Sequence, residues 1–348
     1  MIDKTVYELE YIRELQKRYA SDPGLIERAV YAFGLLEAIR LVDMPFCFKG
    51  GTSLMLIMKK PARLSTDIDI LVEPGTDVDK YIEKAAKIFP FLDKEEDFRK
   101  GKNGILKRHF KFTYYSHVRN TNFYILLDVV FSHLPYAKTM QKEICNDFLL
   151  TTDNNLSVTI PTADCILGDK LTAFAPHTTG VLLGNGKELE IAKQLFDIAT
   201  LSDYLSDFDL FATTYKTAVT EESAFRGHDW TCDDVLHDTI RACVSIISRG
   251  RIDREDYWEY LRGIKSLKNH ILENSYNTDK MTWKVCKVMY LASCLVSGNA
   301  FHRISNPEDY ISARLESNKY KCLAYMRKQN LEAYAYLVET TRNLNCKS

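Results

Sequence analysis

The first 160 residues contain short segments in which apolar and polar positions alternate. Alternation runs through Asp67–Val72 and Lys107–Tyr115, and Phe123–Phe131 is apolar except for one central charge. Successive side chains of an extended chain point to opposite faces, so these segments predict strands of a half-buried sheet. Two shorter strands are predicted at Pro45–Phe48 and Ser157–Ile160.

Helical spacing dominates the rest of the chain, where apolar residues recur every three or four positions. One helix is also predicted before the first strand, over Leu25–Val42, with Asp22 as its N-cap and Pro23 in its first turn. The pattern therefore predicts a mixed α/β domain over residues 1–160 and an α-helical domain over residues 161–348. The helices predicted in the second domain are Ile191–Leu205, Asp234–Ile247, Arg254–Leu272, Lys280–Leu295 and Tyr320–Tyr336.

Two carboxylates stand two residues apart at the start of a predicted strand. Asp67 and Asp69 therefore share one face, while Ile68 and Ile70 share the buried face. Neighbouring carboxylates repel unless a cation lies between them, and hard oxygen ligands suit Mg²⁺, with Mn²⁺ as the alternative. Asp128, inside the apolar segment Phe123–Phe131, is predicted as the third ligand; the alternative is an ordinary aspartate at the end of a strand.

A glycine pair precedes these carboxylates. Gly50 and Gly51 allow backbone N–H groups to approach a triphosphate closely. The hydroxyls of Thr52 and Ser53 lie near the start of a short helix, predicted at Leu54–Met58, whose N-terminus favours anions. A nucleoside triphosphate with Mg²⁺ is the predicted ligand.

Arg63 and Ser65 lie in the loop that enters the carboxylate strand. The planar guanidinium of Arg63 is suited to a substrate phosphate, or Arg63 is a surface residue of a basic loop with Lys59 and Lys60. Ser65 either binds the nucleotide or caps the turn before the strand. The sequence leaves both alternatives open.

These motifs, in this order, resemble the polymerase-beta-type nucleotidyltransferase superfamily and, more closely, the AbiEii/AbiGii toxin family. A second matching block runs through Ala163–Phe174 and Lys193–Ile198. The resemblance implies a polymerase-beta-like domain with a mixed sheet, followed by an α-helical bundle, with the active site in the cleft between them. It also implies that Lys170 contacts nucleotide phosphate and that Asp197 acts as a base or orients Lys170. Many relatives carry an Arg-Asp pair where this chain has Lys193–Gln194.

The resemblance further implies transfer of a nucleoside monophosphate from a nucleoside triphosphate to a hydroxyl, with a tRNA 3′ end as the expected acceptor. The expected role is that of a toxin in a type IV toxin–antitoxin or abortive-infection system, with an antitoxin encoded nearby. One alternative is a nucleotidyltransferase that modifies a small molecule or a protein hydroxyl without toxicity. A second is a non-catalytic nucleotide-binding module, although such a module does not require three carboxylates.

The formal net charge of −1 gives no general attraction to nucleic acid, so RNA binding would need a local patch. One basic and aromatic segment could provide it, by holding phosphates and stacking unpaired bases. The favoured alternative is an amphipathic strand with its aromatic rings in the core. The residues of this segment are Lys100, Lys102, Lys107, Arg108, Lys111 and Arg119, with Phe110, Phe112, Tyr114 and Tyr115.

Cysteine usage and the N-terminal sequence indicate a cytoplasmic protein. The nine cysteines are odd in number and lack Cys-x-x-Cys spacing, which argues against a disulfide framework and a structural zinc site. The first residues show no positive region followed by an apolar stretch, and no segment is apolar enough to span a bilayer. We therefore expect no membrane partner.

Overall fold

The structure is a computed structural model that describes residues 1–58, 60–97, 106–272 and 275–345. The chain divides into two compact units. The first unit contains Met1–Thr162 together with Asn269–Ser275, and the second contains Ala163–Lys268 and Tyr276–Ser348. A short segment far along the sequence thus belongs to the first unit.

A seven-stranded mixed sheet forms the centre of the first unit, with the strand order β3-β4-β5-β2-β1-β7-β6. Strands β2 and β5 are parallel, as are β1 and β7, and the other neighbouring pairs are antiparallel. The strands are β1 (Cys47–Lys49), β2 (Ile68–Val72), β3 (Asp93–Glu96), β4 (Lys107–Ser116), β5 (Thr121–Phe131), β6 (Thr139–Glu143) and β7 (Ser157–Pro161).

The five predicted strands are confirmed, and their ends are shifted by at most two residues. In β5, Ile125, Leu127 and Val129 are fully buried, whereas the residues between them are half-buried. Two strands, β3 and β6, were not predicted, because both are short, polar and at the edges of the sheet. One face of the sheet therefore packs into the core, and the other carries the polar positions.

Four helices belong to the first unit: α1 (Leu9–Tyr19), α2 (Pro23–Leu41), α3 (Gly50–Ile57) and α4 (Asp79–Ala85). The predicted start of α2 is confirmed, because Asp22 Oδ1 accepts a hydrogen bond from Leu25 N at 2.9 Å. Helix α3 begins four residues earlier than predicted. The glycine pair is therefore the first turn of this helix rather than a loop before it.

The second unit is helical. Four of its five predicted helices are confirmed, at α6, α8, α9 and α10, while α5 and α7 were not among the five. The helices are α5 (Ala163–Ala173), α6 (Glu188–Leu201), α7 (Phe208–Arg226), α8 (Cys232–Ile247), α9 (Tyr257–Leu267), α10 (Thr278–Ser297), α11 (Met326–Gln329) and α12 (Leu331–Asn345).

The prediction of one helix over Tyr320–Tyr336 is wrong. A 3₁₀ segment, Asn318–Tyr325, leads into α11, and Asn330 then adopts an extended conformation with φ −155° and ψ 114°. The Asn330 side chain accepts a hydrogen bond from Ala333 N at 2.8 Å and thereby caps α12. The apolar spacing continues across this break, so periodicity alone could not reveal it.

Candidate active site

Two of the predicted carboxylates lie side by side on neighbouring strands. In the parallel pairing of β2 with β5, Asp69 is the register partner of Asp128. Both residues point away from the core face, because their strand neighbours Ile68, Ile70 and Leu127 are fully buried. The structure therefore brings together carboxylates that are 59 residues apart in the sequence.

Asp67 immediately precedes β2, and its side chain is 44% exposed. Its Oδ1 lies 3.3 Å from Arg28 Nη2, and its backbone carbonyl accepts a 2.6 Å hydrogen bond from Thr52 Oγ1. The Arg28 guanidinium also lies 5.5 Å from the centroid of the Phe123 ring. No motif in the sequence marks Arg28, which lies on α2 among apolar residues.

The carboxylate of Asp128 has a histidine partner. His109 on β4 is the register partner of Asp128 on β5, and its Nδ1 lies 2.6 Å from Asp128 Oδ1. An ionised carboxylate only accepts hydrogen bonds, so Nδ1 carries the proton of this bond. His109 therefore fixes one oxygen of Asp128. Alternation along β4 puts His109 on the face opposite the buried ring of Phe110, but only the strand register reveals its contact with Asp128.

Position 50 requires a glycine for two reasons, its backbone conformation and its close contact with Asp69. Its φ is +79°, a left-handed conformation that disfavours L side chains. A Cβ atom at this position would lie 2.0 Å from Asp69 Oδ2. The first residue of α3 thus fits against the Asp69 carboxylate only as glycine.

Gly51 is in close contact with both predicted residues of the following loop. A Cβ at position 51 would lie 2.6 Å from Ser65 Oγ and 2.8 Å from Arg63 Nη2. The surface alternative for Arg63 is wrong, because the residue is only 7% exposed and its Nη1 donates to Leu64 O at 3.0 Å. The structure therefore places Arg63 and Ser65 directly against the glycine pair. Lys59, the other predicted member of the basic loop, lies outside the described residues.

The hydroxyls of Thr52 and Ser53 donate hydrogen bonds to backbone carbonyls, and their role in nucleotide binding stays a prediction. Both residues are fully buried. Thr52 Oγ1 donates to Asp67 O, and Ser53 Oγ donates to Gly50 O at 2.8 Å. These bonds join α3 to the start of β2 and close its first turn.

The second block forms a buried polar cluster in the second unit. Lys170 on α5 lies 2.8 Å from Asp197 Oδ2 on α6, and both residues are almost completely buried. Gln194, one turn before Asp197, accepts a 3.0 Å hydrogen bond from Lys170 Nζ. The structure thus brings the predicted lysine and aspartate together. It adds Gln194, which stands at the position where the chain departs from its relatives.

The basic and aromatic segment is a core strand with compensated charges. Phe110, Phe112 and Tyr114 are at most 1% exposed, so the favoured amphipathic interpretation of these rings is confirmed. Arg108 forms ion pairs with Asp79 and Glu96, and Lys111 forms ion pairs with Glu95 and Asp97. Lys100 and Lys102 lie outside the described residues.

The chemistry of the three aspartates fits a hard divalent cation, because carboxylate oxygens are its preferred ligands. Asp69 and Asp128 are adjacent in register, and Asp67 stands on the same strand face as Asp69. Within the described ranges, however, no three His, Cys, Asp or Glu side chains are arranged as a metal-binding group. The oxygens of Asp67 and Asp128 face Arg28 and His109 instead. Metal binding therefore stays a prediction.

A glycine turn, a pair of strand-borne aspartates and a mixed sheet together define a nucleotidyltransferase-type domain. The chain belongs to the family of AbiEii nucleotidyl transferase toxins of type IV toxin–antitoxin systems, because the profile of this family matches residues 35–278. The family resemblance, the mixed α/β fold class and the enzyme class predicted from the sequence are thereby confirmed.

Several solved structures are similar to this chain at low sequence identity. JHP933 from Helicobacter pylori is 15% identical, with a TM-score of 0.43, over 77% of this chain and 92% of its own. A Helicobacter pylori structure described provisionally as a nucleotidyltransferase is 14% identical, with a TM-score of 0.45; the match covers 77% of this chain and 95% of that structure. An antigenic nucleotidyltransferase-like protein from Paracoccidioides brasiliensis is 16% identical, with a TM-score of 0.37; the match covers 62% of this chain and 98% of that protein. A comparison with curated proteins gives no match.

Proposed function

We propose that this protein transfers a nucleoside monophosphate from a nucleoside triphosphate to an acceptor hydroxyl, with Mg²⁺ held by Asp67, Asp69 and Asp128. The observation that carries the proposal is the register pairing of Asp69 with Asp128, beside a glycine that could not bear a side chain. A divalent cation bound there would activate the acceptor hydroxyl and neutralise the charge that develops on the phosphates. Release of pyrophosphate would balance the reaction.

The residues around the carboxylates orient the substrate. The Gly50–Gly51 turn begins α3, so its backbone N–H groups and the positive end of the helix are suited to the triphosphate. The Arg63 guanidinium, packed against Gly51, supplies positive charge on the same side. His109 keeps one oxygen of Asp128 engaged and so limits rotation of the carboxylate.

For Lys170 we propose the role that the family resemblance implies, contact with nucleotide phosphate. Asp197 and Gln194 hold the Lys170 ammonium from two directions, at 2.8 and 3.0 Å. These two contacts fix the position of Lys170 Nζ, and a fixed position favours binding of a phosphate oxygen. In this arrangement Asp197 orients Lys170.

The biological role that we propose is that of the toxin of a type IV toxin–antitoxin system, acting on a tRNA 3′ end in the cytoplasm. Membership in the AbiEii family supports the toxin role and an antitoxin encoded nearby. Across the part of the chain that the structure describes, no helix combines the length and the apolar character needed to cross a membrane.

Incubation of the purified protein with Mg²⁺, total RNA and each α-³²P-labelled nucleoside triphosphate in turn tests the proposed chemistry. We expect label on tRNA-sized RNA with the wild type and none with the double variant Asp67→Asn/Asp69→Asn. The matched control is Asp153→Asn, which removes an exposed loop carboxylate of the same unit and should leave transfer unchanged. Full activity of the double variant would contradict the metal site, and label on protein or on small molecules would identify another acceptor class.

Controlled expression in a host that lacks the neighbouring gene tests the toxin role. Growth should stop with the wild type and continue with Asp67→Asn/Asp69→Asn at equal protein levels. Co-expression of the adjacent gene should restore growth. Harmless overexpression of an enzyme that is active in vitro would favour the nucleotidyltransferase without a toxin role.

A further inference from the structure

An apolar cavity of about 310 Å³ lies within the first unit, where β1 begins and where β2 and β5 end. Its floor includes Leu71 and Cys47, which are register partners, and Thr159, the partner of Cys47 on β7. Leu71 is two residues beyond Asp69 on the same strand face, a separation of about 7 Å. The cavity therefore begins one pair of side chains away from the proposed reaction centre.

The cavity and the glycine turn lie on opposite sides of Asp69. On β1, Lys49 is the register partner of Asp69. Gly50 is the residue that follows Lys49, whereas Cys47, the register partner of Leu71, lies two residues before Lys49. In an in-line transfer, the attacking and leaving oxygens occupy opposite sides of the reacting phosphorus. If the pyrophosphate lies at the glycine turn, the acceptor must approach from the side of the cavity.

The walls of the cavity suit an uncharged ring. Phe46, Leu71 and Leu134 contribute apolar surface, and burial raises the pKa of the Cys47 thiol to about 11, so this thiol is neutral near pH 7. None of its described lining residues is a lysine or an arginine. A phosphate group would therefore find no positive partner here, whereas an aromatic ring would lose little hydration on entering.

The polar groups of the lining are mainly hydrogen-bond acceptors. Ser132 Oγ donates its proton to His133 O, and Thr76 Oγ1 donates to Glu73 O, so both oxygens present lone pairs. Glu73 also lines the cavity, and its Oε2 pairs with His133 Nδ1 at 2.8 Å. Thr159 Oγ1 already accepts a 2.7 Å hydrogen bond from Gln141 Nε2, which leaves its own proton available as a donor. This combination is complementary to a ring that carries an amino group beside a ring nitrogen.

We propose that the cavity binds the terminal base of the acceptor, with a preference for bases such as adenine and cytosine, which carry an exocyclic amino group next to a ring nitrogen. The inference rests on the proposed nucleotidyl transfer and adds to it a location and a chemical class for the acceptor. The ring could belong to the 3′ end of an RNA or to a free nucleoside. Uracil, which has carbonyl oxygens where adenine and cytosine have amino groups, is the disfavoured ring.

Binding is measured separately from transfer, by fluorescence anisotropy of 5′-labelled RNA dodecamers that differ only in a 3′-terminal A, C or U. The wild type should bind the A- and C-ended oligonucleotides about tenfold more tightly than the U-ended one. Leu134→Trp, which places a larger ring at the exposed rim, should remove this preference. Leu150→Trp is the matched control, because Leu150 is similarly exposed in the same unit but does not line the cavity.

A second variant keeps the test decisive if Leu134→Trp fails to fold. Thr159→Val removes one hydroxyl with little change in volume and should reduce the preference for A and C over U. Equal affinity of the wild type for all three oligonucleotides would overturn the inference, as would an unchanged preference in folded Leu134→Trp and in Thr159→Val. A Leu134→Trp variant with a raised KM for the nucleoside triphosphate, and not for the acceptor, would also overturn it.

Transfer assays distinguish the source of the ring and separate this inference from the proposed function. Label on the A-ended dodecamer supports RNA as the acceptor, and label on free adenosine supports a nucleoside; Leu134→Trp should reduce either one about tenfold. Asp67→Asn should abolish transfer but retain base-selective binding. Base-selective binding without transfer by the wild type would overturn the proposed function and leave the cavity as a nucleobase site.

Discussion

At the scale of single residues, the candidate site depends on contacts that hold each carboxylate in place. Asp69 lies against a glycine, Asp128 against a histidine and Asp67 against an arginine. Each partner comes from a different element: α3, β4 and α2 respectively. Substitution of any of these partners should therefore change activity, because each partner holds one carboxylate in place.

Gly50→Ala should lower both stability and transfer. The left-handed backbone at Gly50 costs an alanine about 1–2 kcal/mol, and the new Cβ would displace the Asp69 carboxylate. A displacement of that size should reduce kcat about 100-fold. Gly75→Ala is the matched control, because Gly75 has φ +86° but no atom near its Cβ position. It should show the stability loss in urea unfolding with normal kcat; equal kcat losses in both variants would contradict the explanation.

His109→Leu should reduce kcat about tenfold or more, because Asp128 loses the bond that orients it. His109→Asn, which keeps a donor near the same position, should recover part of the loss. Steady-state kinetics check both variants, and the KM for the nucleoside triphosphate should change little. His237→Leu removes an exposed histidine whose Nδ1 lies 2.7 Å from Asp233 O, away from the carboxylates, and serves as the control. Identical kinetics of His109→Leu and the wild type would rule out the positioning role.

At the scale of secondary-structure elements, alternation and spacing identified five strands and most helices, because burial of one face imposes a period on each element. The same rule explains the omissions. Edge strands β3 and β6 have polar sequences and little burial, so they carry no periodic signal. The break at Asn330 interrupts the backbone while the apolar spacing continues on both sides.

A cluster of charged residues links β4 to α4 and β3, and it predicts that the stability of the fold depends on pH. Hydrogen bonds from Arg108 lower the pKa of the Asp79 and Glu96 carboxyl groups below their usual values of 3.8 and 4.5. A carboxyl group with a lowered pKa stabilises the fold above its usual value, and this stabilisation is lost as the pH falls through the lowered pKa. The cluster should therefore contribute fully at pH 7 and progressively less below about pH 4.5.

Arg108→Gln should lower the free energy of unfolding by about 1–2 kcal/mol at pH 7, a modest value because Asp79 is more than half exposed. The difference from the wild type should shrink below pH 4.5 and disappear once both carboxyl groups are protonated. Urea unfolding across this pH range measures it. Arg18→Gln, which removes an exposed pair with Glu14 at 3.5 Å, should have almost no effect at any pH. A difference that stays constant with pH would exclude the cluster as its cause.

At the scale of the whole molecule, the first unit is assembled from two separate parts of the chain. Leu64 N donates to His270 O at 2.7 Å, and Leu272 N donates to Ala62 O at 3.0 Å. These bonds hold the loop that carries Arg63 beside the glycine pair. The late segment Asn269–Ser275 therefore supports the candidate site although it shares no motif with it.

A fragment ending at Thr162 should consequently lose the order of this loop. We expect the Leu64 amide to exchange hydrogen much faster in the fragment than in the full chain, because its acceptor is missing. Hydrogen exchange followed by mass spectrometry measures this protection. Residues 269–275 fused to the fragment through a glycine-serine linker should restore it, and a scrambled version of the same seven residues should not. Equal protection in the fragment and the full chain would contradict this role.

The sequence by itself determined the mixed α/β class, the helical second half and the family, since these follow from periodicity and from the ordered motif between Lys49 and Asp69. It also identified Asp67, Asp69, Asp128, Lys170 and Asp197 as candidates. Only the tertiary structure decided their partners. Strand register placed His109 beside Asp128, and helix packing placed Arg28 beside Asp67. These contacts join residues far apart in the chain, and a pattern of local spacing carries no information about which distant side chains meet.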